Sequence, residues 1–395
     1  MFSNIISQEF SKTIKTANRF GFPLVWVETT KRLIFSPKHD AKTKFATKFI
    51  FLNTFYILVQ TGRNKVVQNS PHFNLLLAIS YTWMAMCVGA FAFAFQAKEV
   101  ARNWNGMFLY SVKFYETFWN FPGSTAVTSY NRTWLRIIRP SNFLLNLLPL
   151  FMWCQILISP FHPMHPPYIF LNYPTLFYLT YLIYAPTMMY SFCFVSSYLK
   201  ILCQAFSCLI LCILTILQEL TLTRKPREVR KFKCFPELGA HPDHLVHVYR
   251  SAQLAIKELR LFFGKYVPII QNLMGHLAIS SGYVLIVEGT KIDIATRTTL
   301  FLCVPSVVLS WAALITCGAK IQKSAKDCLT SWKVHGDQWE SWGDRKYMSK
   351  FRKSCKPLYF GWDGFMVVTH KSVMKFMQGI IRSLFRALLA LKKTN

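Results

Sequence analysis

Acidic residues are scarce in this chain: 17 Asp and Glu stand against 46 Lys and Arg among 395 residues. Charged residues of both signs make up only 16% of the sequence, against about a quarter in soluble domains. This low charge, together with 52% hydrophobic residues, excludes a disordered chain and an ordinary soluble protein. A net charge of +29 in so apolar a chain indicates a membrane protein with basic cytosolic loops, and no nucleic-acid partner.

Catalytic and cofactor motifs are also missing. The sequence contains no Gly-rich phosphate loop, no G-x-S-x-G and no H-E-x-x-H, so we predict no enzymatic activity. The cysteines include no C-x-x-C pair, and most lie in apolar runs, where a reduced Cys behaves as a small hydrophobic residue. We therefore predict neither a metal site nor a cofactor. The apolar runs carry almost no carboxylates, which disfavours a proton-coupled transporter.

Long apolar stretches are what the sequence does contain. A membrane-spanning helix needs about 20 apolar residues to cross a hydrocarbon core of about 30 Å. Seven stretches come close to this length, and together they predict an all-α, multi-span transmembrane bundle. The predicted spans are 45–61, 73–96, 142–160, 168–198, 264–288, 298–319 and 372–391.

The region 168–220 is long enough for one span or two, and the basic residues decide between these alternatives. The Lys- and Arg-rich segments are 1–44, 97–141, 220–263 and 320–360, which hold 8, 6, 9 and 10 of these residues. The poor segments are 62–72, 161–167 and 289–297, which hold 2, 0 and 2. A single span over 168–198 places every rich segment in the cytosol, as the positive-inside rule requires.

The predicted topology therefore has seven spans, with the amino terminus in the cytosol and the carboxyl terminus outside. A G-protein-coupled receptor has the opposite orientation and is disfavoured. Three helices are predicted beneath the membrane: 199–219, 242–263 and an inward extension of the sixth span over 319–333. Pro242 and Asp243 suit the first turn of the second of these. Such an inner bundle is a natural place for subunits to meet.

The last helix has a basic stripe on an otherwise apolar surface. At 100° per residue, Lys371, Lys375, Gln378, Arg382 and Arg386 fall within about 80° of arc. Two placements are open. In the first placement, the helix spans the bilayer and its stripe faces water, because each Arg would cost ~2.5–3.5 kcal/mol against lipid at mid-membrane. Alternatively, it lies on the anionic inner leaflet as an amphipathic anchor, which leaves six spans.

The chain resembles the arthropod gustatory and odorant receptor superfamily, and most of all its divergent members from basal hexapods. The motifs that carry the resemblance are His244-Leu-Val-His-Val-Tyr-Arg-Ser251, Phe351-Arg-Lys-Ser-Cys-Lys-Pro-Leu358 with Gly361, and the apolar-basic tail Phe365–Leu391. The order of spans and the long inner segment between the fourth and fifth spans also fit that family.

The resemblance implies a tetrameric, ligand-gated cation channel. The inner helices then anchor the subunits, the seventh helix lines the pore with Lys375, Gln378, Arg382 and Arg386, and small organic ligands bind in the outer half of the bundle. One departure stands out. Many gustatory members end the seventh span with Thr-Tyr, five mostly apolar residues and Gln-Phe, and this chain has Arg382 and Arg386 there instead. Positive charge in a pore raises the barrier that cations meet on entering.

Candidate pocket residues follow from the topology and from the chemistry of apolar pockets with a few polar groups. They are the outer-half side chains Tyr81, Trp83, Trp153, Gln155, Tyr178, Tyr181, His276 and Tyr283. Gln155 and His276 supply the polar contacts in this set.

The sequence thus predicts a plasma-membrane chemoreceptor that works as a ligand-gated cation channel for tastants or odorants. Its expected partners are a small organic ligand, the lipid bilayer, and further subunits in a homo- or hetero-tetramer, with or without a co-receptor. The alternative is a six-span membrane protein or transporter with a basic amphipathic tail. The predicted segments are 1–44 cytosolic, 45–198 spans one to four, 199–263 anchor helices, 264–319 spans five and six, 320–371 cytosolic, and 372–395 span seven with a short tail.

Overall fold

Helices dominate the computed structural model, which describes residues 4–66, 73–118, 125–222, 241–290, 292–334, 339 and 341–392. The first helices are α1 (Asn4–Arg19), α2 (Pro37–Val66), α3 (Phe73–Phe95), α4 (Ala97–Phe118), α5 (Thr125–Ile158) and α6 (Pro174–Leu220). They are followed by α7 (Pro242–Phe263), α8 (Tyr266–Val287), α9 (Ile294–Val334), α10 (Trp342–Ser354) and α11 (His370–Lys392). A short 3₁₀ helix, Pro166–Phe170, precedes α6.

Each of the seven apolar stretches corresponds to one helix, in the order α2, α3, α5, α6, α8, α9 and α11. Among the described residues, four helices combine the length and the hydropathy that crossing a membrane requires. These four are α3, the part of α5 from Tyr130 to Ile158, α6 and α8. The all-helical class and the multi-span character are therefore confirmed.

The ambiguous region is a single helix over most of its length. α6 runs over 47 residues from Pro174 to Leu220, about 70 Å at 1.5 Å per residue. Pro174 suits its first turn, because the missing N–H costs no helical hydrogen bond there. The half after Leu199 remains apolar and is largely buried against α1, α4 and α9. An all-round apolar helix needs such protein contacts, as the sequence predicted.

The directions of neighbouring helices follow from hydrogen bonds near their ends. Asn74 Nδ2 donates to Glu288 Oε1 at 2.6 Å, and Tyr266 Oη donates to Gln96 Oε1 at 2.8 Å, so α3 and α8 are antiparallel. Trp332 Nε1 donates to the Leu220 carbonyl at 2.8 Å, which brings the carboxyl ends of α6 and α9 together. Those two helices therefore run towards the same end of the bundle.

The same inference applies to α5 and α6. Tyr181 Oη donates to the Ile156 carbonyl at 2.6 Å, and Tyr130 Oη donates to the Cys208 carbonyl at 2.8 Å. The earlier residue of α6, Tyr181, contacts the later part of α5, and the later residue of α6, Cys208, contacts the earlier part of α5. The two helices are therefore antiparallel. Both helices pack along most of their length, which places the core of the bundle around α6.

Two short antiparallel hairpins were not predicted. β1 (Leu24–Val27) pairs with β2 (Arg32–Phe35), and β3 (Gly361–Trp362) pairs with β4 (Met366–Val367). The first hairpin buries Leu24 and Leu33, with β1 packed on the amphipathic helix α1 and β2 packed on α4. The second follows α10 and leads directly into α11, so its geometry fixes where the last helix begins.

Candidate functional site

The motifs at Tyr249 and Phe351, which carried the family resemblance, lie in contact with each other. Tyr249, on α7, is fully buried and its ring packs edge-on against Trp332 of α9 at 5.4 Å and against Phe351 of α10 at 6.5 Å. Its hydroxyl donates to the Lys356 carbonyl at 3.3 Å. Burial raises the pKa of this phenol, so the hydroxyl remains a donor at physiological pH. Three inner segments therefore meet at one aromatic residue.

The hairpin that precedes α11 is held by α7. Arg260 Nη2 lies 2.9 Å from Asp363 Oδ2, and its guanidinium lies 4.1 Å from the centre of the Tyr359 ring. Tyr359 Oη donates to Asp363 Oδ1 at 2.6 Å, and this hydrogen bond raises the pKa of the Tyr359 phenol. Gly361 has φ +135°, and a Cβ there would collide with the Met366 carbonyl, so this position requires glycine.

α11 packs on α8 through small residues. The Phe376 ring reaches Gly275, where a Cβ would lie 3.8 Å away, and Leu384 reaches Gly282, where a Cβ would lie 3.2 Å away. The earlier residue of α11 contacts the earlier glycine of α8 and the later residue contacts the later glycine, so α11 runs parallel to α8 over about 12 Å. Its packed face is completed by the partly buried Val373, Met377 and Ile380.

The four predicted pore residues lie on the opposite face. Lys375, Gln378, Arg382 and Arg386 are all exposed on the single chain. An apolar row adjoins them, formed by Met374, Ile381, Phe385 and Leu389, which are 52–71% exposed. α11 therefore presents a face that is half basic and half apolar to the surroundings of the chain.

The eight predicted pocket residues form separate groups. Tyr81 and His276 stack across α3 and α8, with ring centres 5.1 Å apart. Gln155 is buried and its Nε2 lies 3.4 Å from Thr296 Oγ1, which joins α5 to α9. Tyr181 lies beside it, since its hydroxyl binds the carbonyl of Ile156.

The other four do not join a common cluster. Trp83 is buried and packs on Phe192 at 5.7 Å. Tyr178 is 61% exposed on the outer surface of α6, while Trp153 and Tyr283 are partly buried. A cavity elsewhere is lined by Trp104, Met107, Phe108, Ala205, Phe206 and Leu209, none of which was predicted.

Sequence reasoning missed a buried polar cluster between α2, α6 and the loop before the 3₁₀ helix. Tyr184 Oη donates to Asn53 Oδ1 at 3.3 Å and lies 3.4 Å from His165 Nδ1. Tyr56 Oη lies 3.0 Å from the Pro163 carbonyl and 3.1 Å from that of His165. Within the described residues, His165 Nε2 and Asn53 Nδ2 have no hydrogen-bond partner. In the sequence, this loop is marked by its prolines, Pro160 and Pro163, and by nothing that points to Asn53 or Tyr184.

Burial lowers the pKa of His165 to about 3, and neighbouring His162 contributes to this shift. His165 is therefore neutral at physiological pH and supplies a polar, uncharged group inside the bundle, beside α2 and α6. A neutral imidazole with one free nitrogen can donate to or accept from a small polar molecule.

No protein-family model and no curated protein matches the sequence. Among solved structures, the chain is similar to the insect olfactory receptor OR5 from Machilis hrabei, with a TM-score of 0.67 and 10% identity over 98% of both chains. A structure of that receptor in complex with eugenol also has a TM-score of 0.67, with 11% identity over 97% of this chain and 98% of the receptor. The chain therefore has the fold of an insect olfactory receptor, in agreement with the resemblance that its inner motifs carry.

Proposed function

We propose that this protein is a plasma-membrane chemosensory receptor that opens an ion channel when a small organic ligand binds. The observation that carries the proposal is the likeness of fold to an insect olfactory receptor over nearly the full length of both chains, including a complex with eugenol. If the similarity covered only part of the chain, it would indicate a shared fold for that part alone. Here it includes the inner helices and α11 as well as the outer half.

The proposed topology has seven spans, a cytosolic amino terminus and an external carboxyl terminus. The helix directions support it, since α3 opposes α8, α5 opposes α6, and α6 runs with α9. The placement of α11 parallel to α8 favours a spanning helix over one that lies flat on the inner leaflet. Selective permeabilisation of cells with tags at both ends tests this: an exposed carboxyl terminus and a hidden amino terminus are expected, and two hidden termini contradict it.

The ligand is proposed to bind in the outer half of the bundle, among the eight residues named from the sequence. Two contacts there combine aromatic surface with a polar group: Tyr81 with His276, and Gln155 with Tyr181 nearby. A small aromatic compound with one hydroxyl or carbonyl suits such surroundings, because apolar walls supply affinity and a few polar groups fix orientation. Eugenol is a probe of this chemistry.

Whole-cell recording tests the function directly. Cells that express the full chain are expected to give currents with eugenol or with other small aromatic alcohols and aldehydes, and untransfected cells none. Gln155→Leu is expected to raise the half-activating concentration about tenfold, which corresponds to the loss of a hydrogen bond of ~1.4 kcal/mol. The matched control is Tyr173→Phe, which changes a side chain that is 68% exposed. Receptor at the cell surface that gives no current with any ligand contradicts the proposal.

A further inference from the structure

Three arginines lie on one face of α5, just before its apolar span begins. Arg132, Arg136 and Arg139 fall within about 60° of arc at 100° per residue, and they extend over about 10 Å of helix. All three are exposed. The opposite face is held by α6, since the buried Tyr130 donates its hydroxyl hydrogen to the Cys208 carbonyl at 2.8 Å. The three arginines, which we call the arginine face of α5, therefore lie on the surface turned away from α6.

The same side of α5 becomes apolar about one turn later. Phe143, Leu150 and Leu157 occupy the same arc, and each is more than half exposed. All three lie within 142–160, the predicted third span. A change from basic to apolar on an exposed helix surface is typical of the boundary between the headgroups of the inner leaflet and the hydrocarbon core.

Carboxylates that would neutralise the arginine face are missing from α5, which contains no Asp or Glu. No ion pair between described residues includes a side chain of this helix. The neighbouring helix adds a further cation: Lys200 Nζ of α6 donates to Asn146 Oδ1 of α5 at 2.5 Å. Glu219, the acidic residue of α6, lies about 16 Å further along that helix than Cys208.

Phosphate is the anion that suits closely spaced arginines best. A planar guanidinium binds a phosphate through two parallel N–H···O hydrogen bonds. Neighbours one turn apart on a helix are separated by about 5–6 Å between their Cβ atoms, so the whole arginine face can engage more than one phosphate. Clusters of Lys and Arg directly beside a span on its cytosolic side are typical sites for anionic lipids. The apolar surface that begins at Phe143 offers the acyl chains a place to lie.

We infer that Arg132, Arg136 and Arg139, with Lys200 beside them, bind an inner-leaflet phospholipid whose headgroup carries more than one phosphate. The headgroup lies against the arginine face, and the acyl chains lie along the apolar surface after it. The inference rests on the proposed topology, in which the first part of α5 faces the cytosol, and it does not depend on which compound opens the channel. Such a lipid stabilises the folded protein, because the site exists only in the native state.

Stabilisation by added lipid tests the inference. Full-length protein in an uncharged detergent is heated with increasing amounts of dioctanoyl phosphatidylinositol bisphosphate, and the rise in melting temperature gives the dissociation constant. We expect this lipid to bind at least tenfold more tightly than dioctanoyl phosphatidylserine, which carries a single phosphate. Replacing one arginine of the face with Gln is expected to raise the dissociation constant about fivefold. The triple variant Arg132→Gln/Arg136→Gln/Arg139→Gln is expected to raise it at least twentyfold.

The matched control removes three positive charges elsewhere. Lys257→Gln/Lys326→Gln/Lys353→Gln changes exposed residues of α7, α9 and α10, and it is expected to retain the dissociation constant of the unmodified protein. Melting temperatures without lipid establish that the variants fold, and the single variants provide the test if the triple variant does not.

Three results would overturn the inference. They are equal binding of the two lipids, a triple variant that binds as tightly as the unmodified protein, and equal affinity for the lipid and for inositol trisphosphate, its free headgroup. The last result would assign the arginine face to a soluble anion. These measurements use neither an activating compound nor a current, so their failure leaves the proposed function in place.

Discussion

At the scale of single residues, Tyr249 is the side chain whose loss is expected to be most costly. It fills a buried site between α7, α9 and α10, and its hydroxyl donates a hydrogen bond to the Lys356 carbonyl. Tyr249→Ala is expected to destabilise the protein by ~3–5 kcal/mol, as for other large buried aromatic residues. Tyr249→Phe, which removes only the hydroxyl, is expected to cost ~0.5–1.5 kcal/mol. Thermal unfolding of detergent-purified protein measures both.

The control for these variants lies on the same helix. Leu254 is 64% exposed, so Leu254→Ala is expected to change stability by less than ~0.5 kcal/mol. Equal losses in Tyr249→Ala and Leu254→Ala would contradict the assignment of Tyr249 as the residue that joins the inner segments.

His165 makes stability depend on pH. Burial holds its pKa at about 3 in the folded protein, whereas an unfolded His titrates near about 6.5. As the pH falls below ~6.5, His165 becomes protonated in the unfolded protein but stays neutral in the folded one. The contribution of His165 to the free energy of unfolding is therefore complete above pH ~6.5. It is lost progressively as the pH falls towards 3, with a slope of up to ~1.4 kcal/mol per pH unit. His165→Gln is expected to reduce the fall in melting temperature between about pH 7.5 and about pH 5. The exposed His244 gives the control, His244→Gln, which is expected to retain that fall.

Which residues could be identified from sequence depends on how far apart in the chain the contacting partners lie. The basic row of α11 follows from helical periodicity alone, since its members are three or four residues apart. The cluster around His165 does not, because Tyr184 and its partner Asn53 are 131 residues apart. No local pattern marks such a pair, and the pocket residues share this difficulty: eight were proposed, and the structure brings Tyr81 and His276 into contact.

At the scale of elements, the helices were largely predictable and the strands were not. Apolar length predicted the helices that contain the seven proposed spans, and the Pro242-Asp243 start placed α7 where the structure has it, at Pro242–Phe263. The positive-inside bias predicted one span over 168–198 that continues inward as a helix over 199–219, and the structure has a single helix at Pro174–Leu220. β1 has the sequence Leu-Val-Trp-Val, in which no polar residue alternates with the apolar ones, so its strand pattern is invisible before α1 is in place.

The packing of α11 on α8 is testable at a glycine. In Gly282→Leu the new Cβ lies 3.2 Å from Leu384 Cδ1, and the rest of the side chain extends into α11. Overpacking of this kind costs ~1–3 kcal/mol and is expected to displace the last helix. We therefore expect a lower melting temperature together with reduced ligand-evoked current. Gly379 lies on the outward face, where an added methyl group would have no neighbour within 4 Å, so Gly379→Ala is expected to be neutral or stabilising by ~0.5–1 kcal/mol.

At the scale of the whole molecule, the surface of one chain meets two different environments. Large apolar side chains such as Phe51, Phe143, Leu182 and Phe301 are 63–71% exposed around the outside of the bundle, as suits contact with lipid. The outward face of α11 combines exposed apolar residues with a basic row. Sequence periodicity reveals that face but not its surroundings, because the spacing of residues along one helix carries no information about what packs against it.

This surface leads to the last prediction, that the protein is an oligomer. A single subunit in a bilayer would place Arg382 and Arg386 against lipid, whereas several copies around an axis place them in water and cover Phe385 and Leu389 at the subunit boundaries. Four copies are expected from the resemblance. Native mass spectrometry of the protein in lipid nanodiscs should give four times the mass of the chain, and Phe385→Ala/Leu389→Ala should increase the share of smaller species. The exposed pair Leu182→Ala/Ile183→Ala, on the outer surface of α6, should not. A purely monomeric protein that still conducts would mean that the row faces a passage within one subunit.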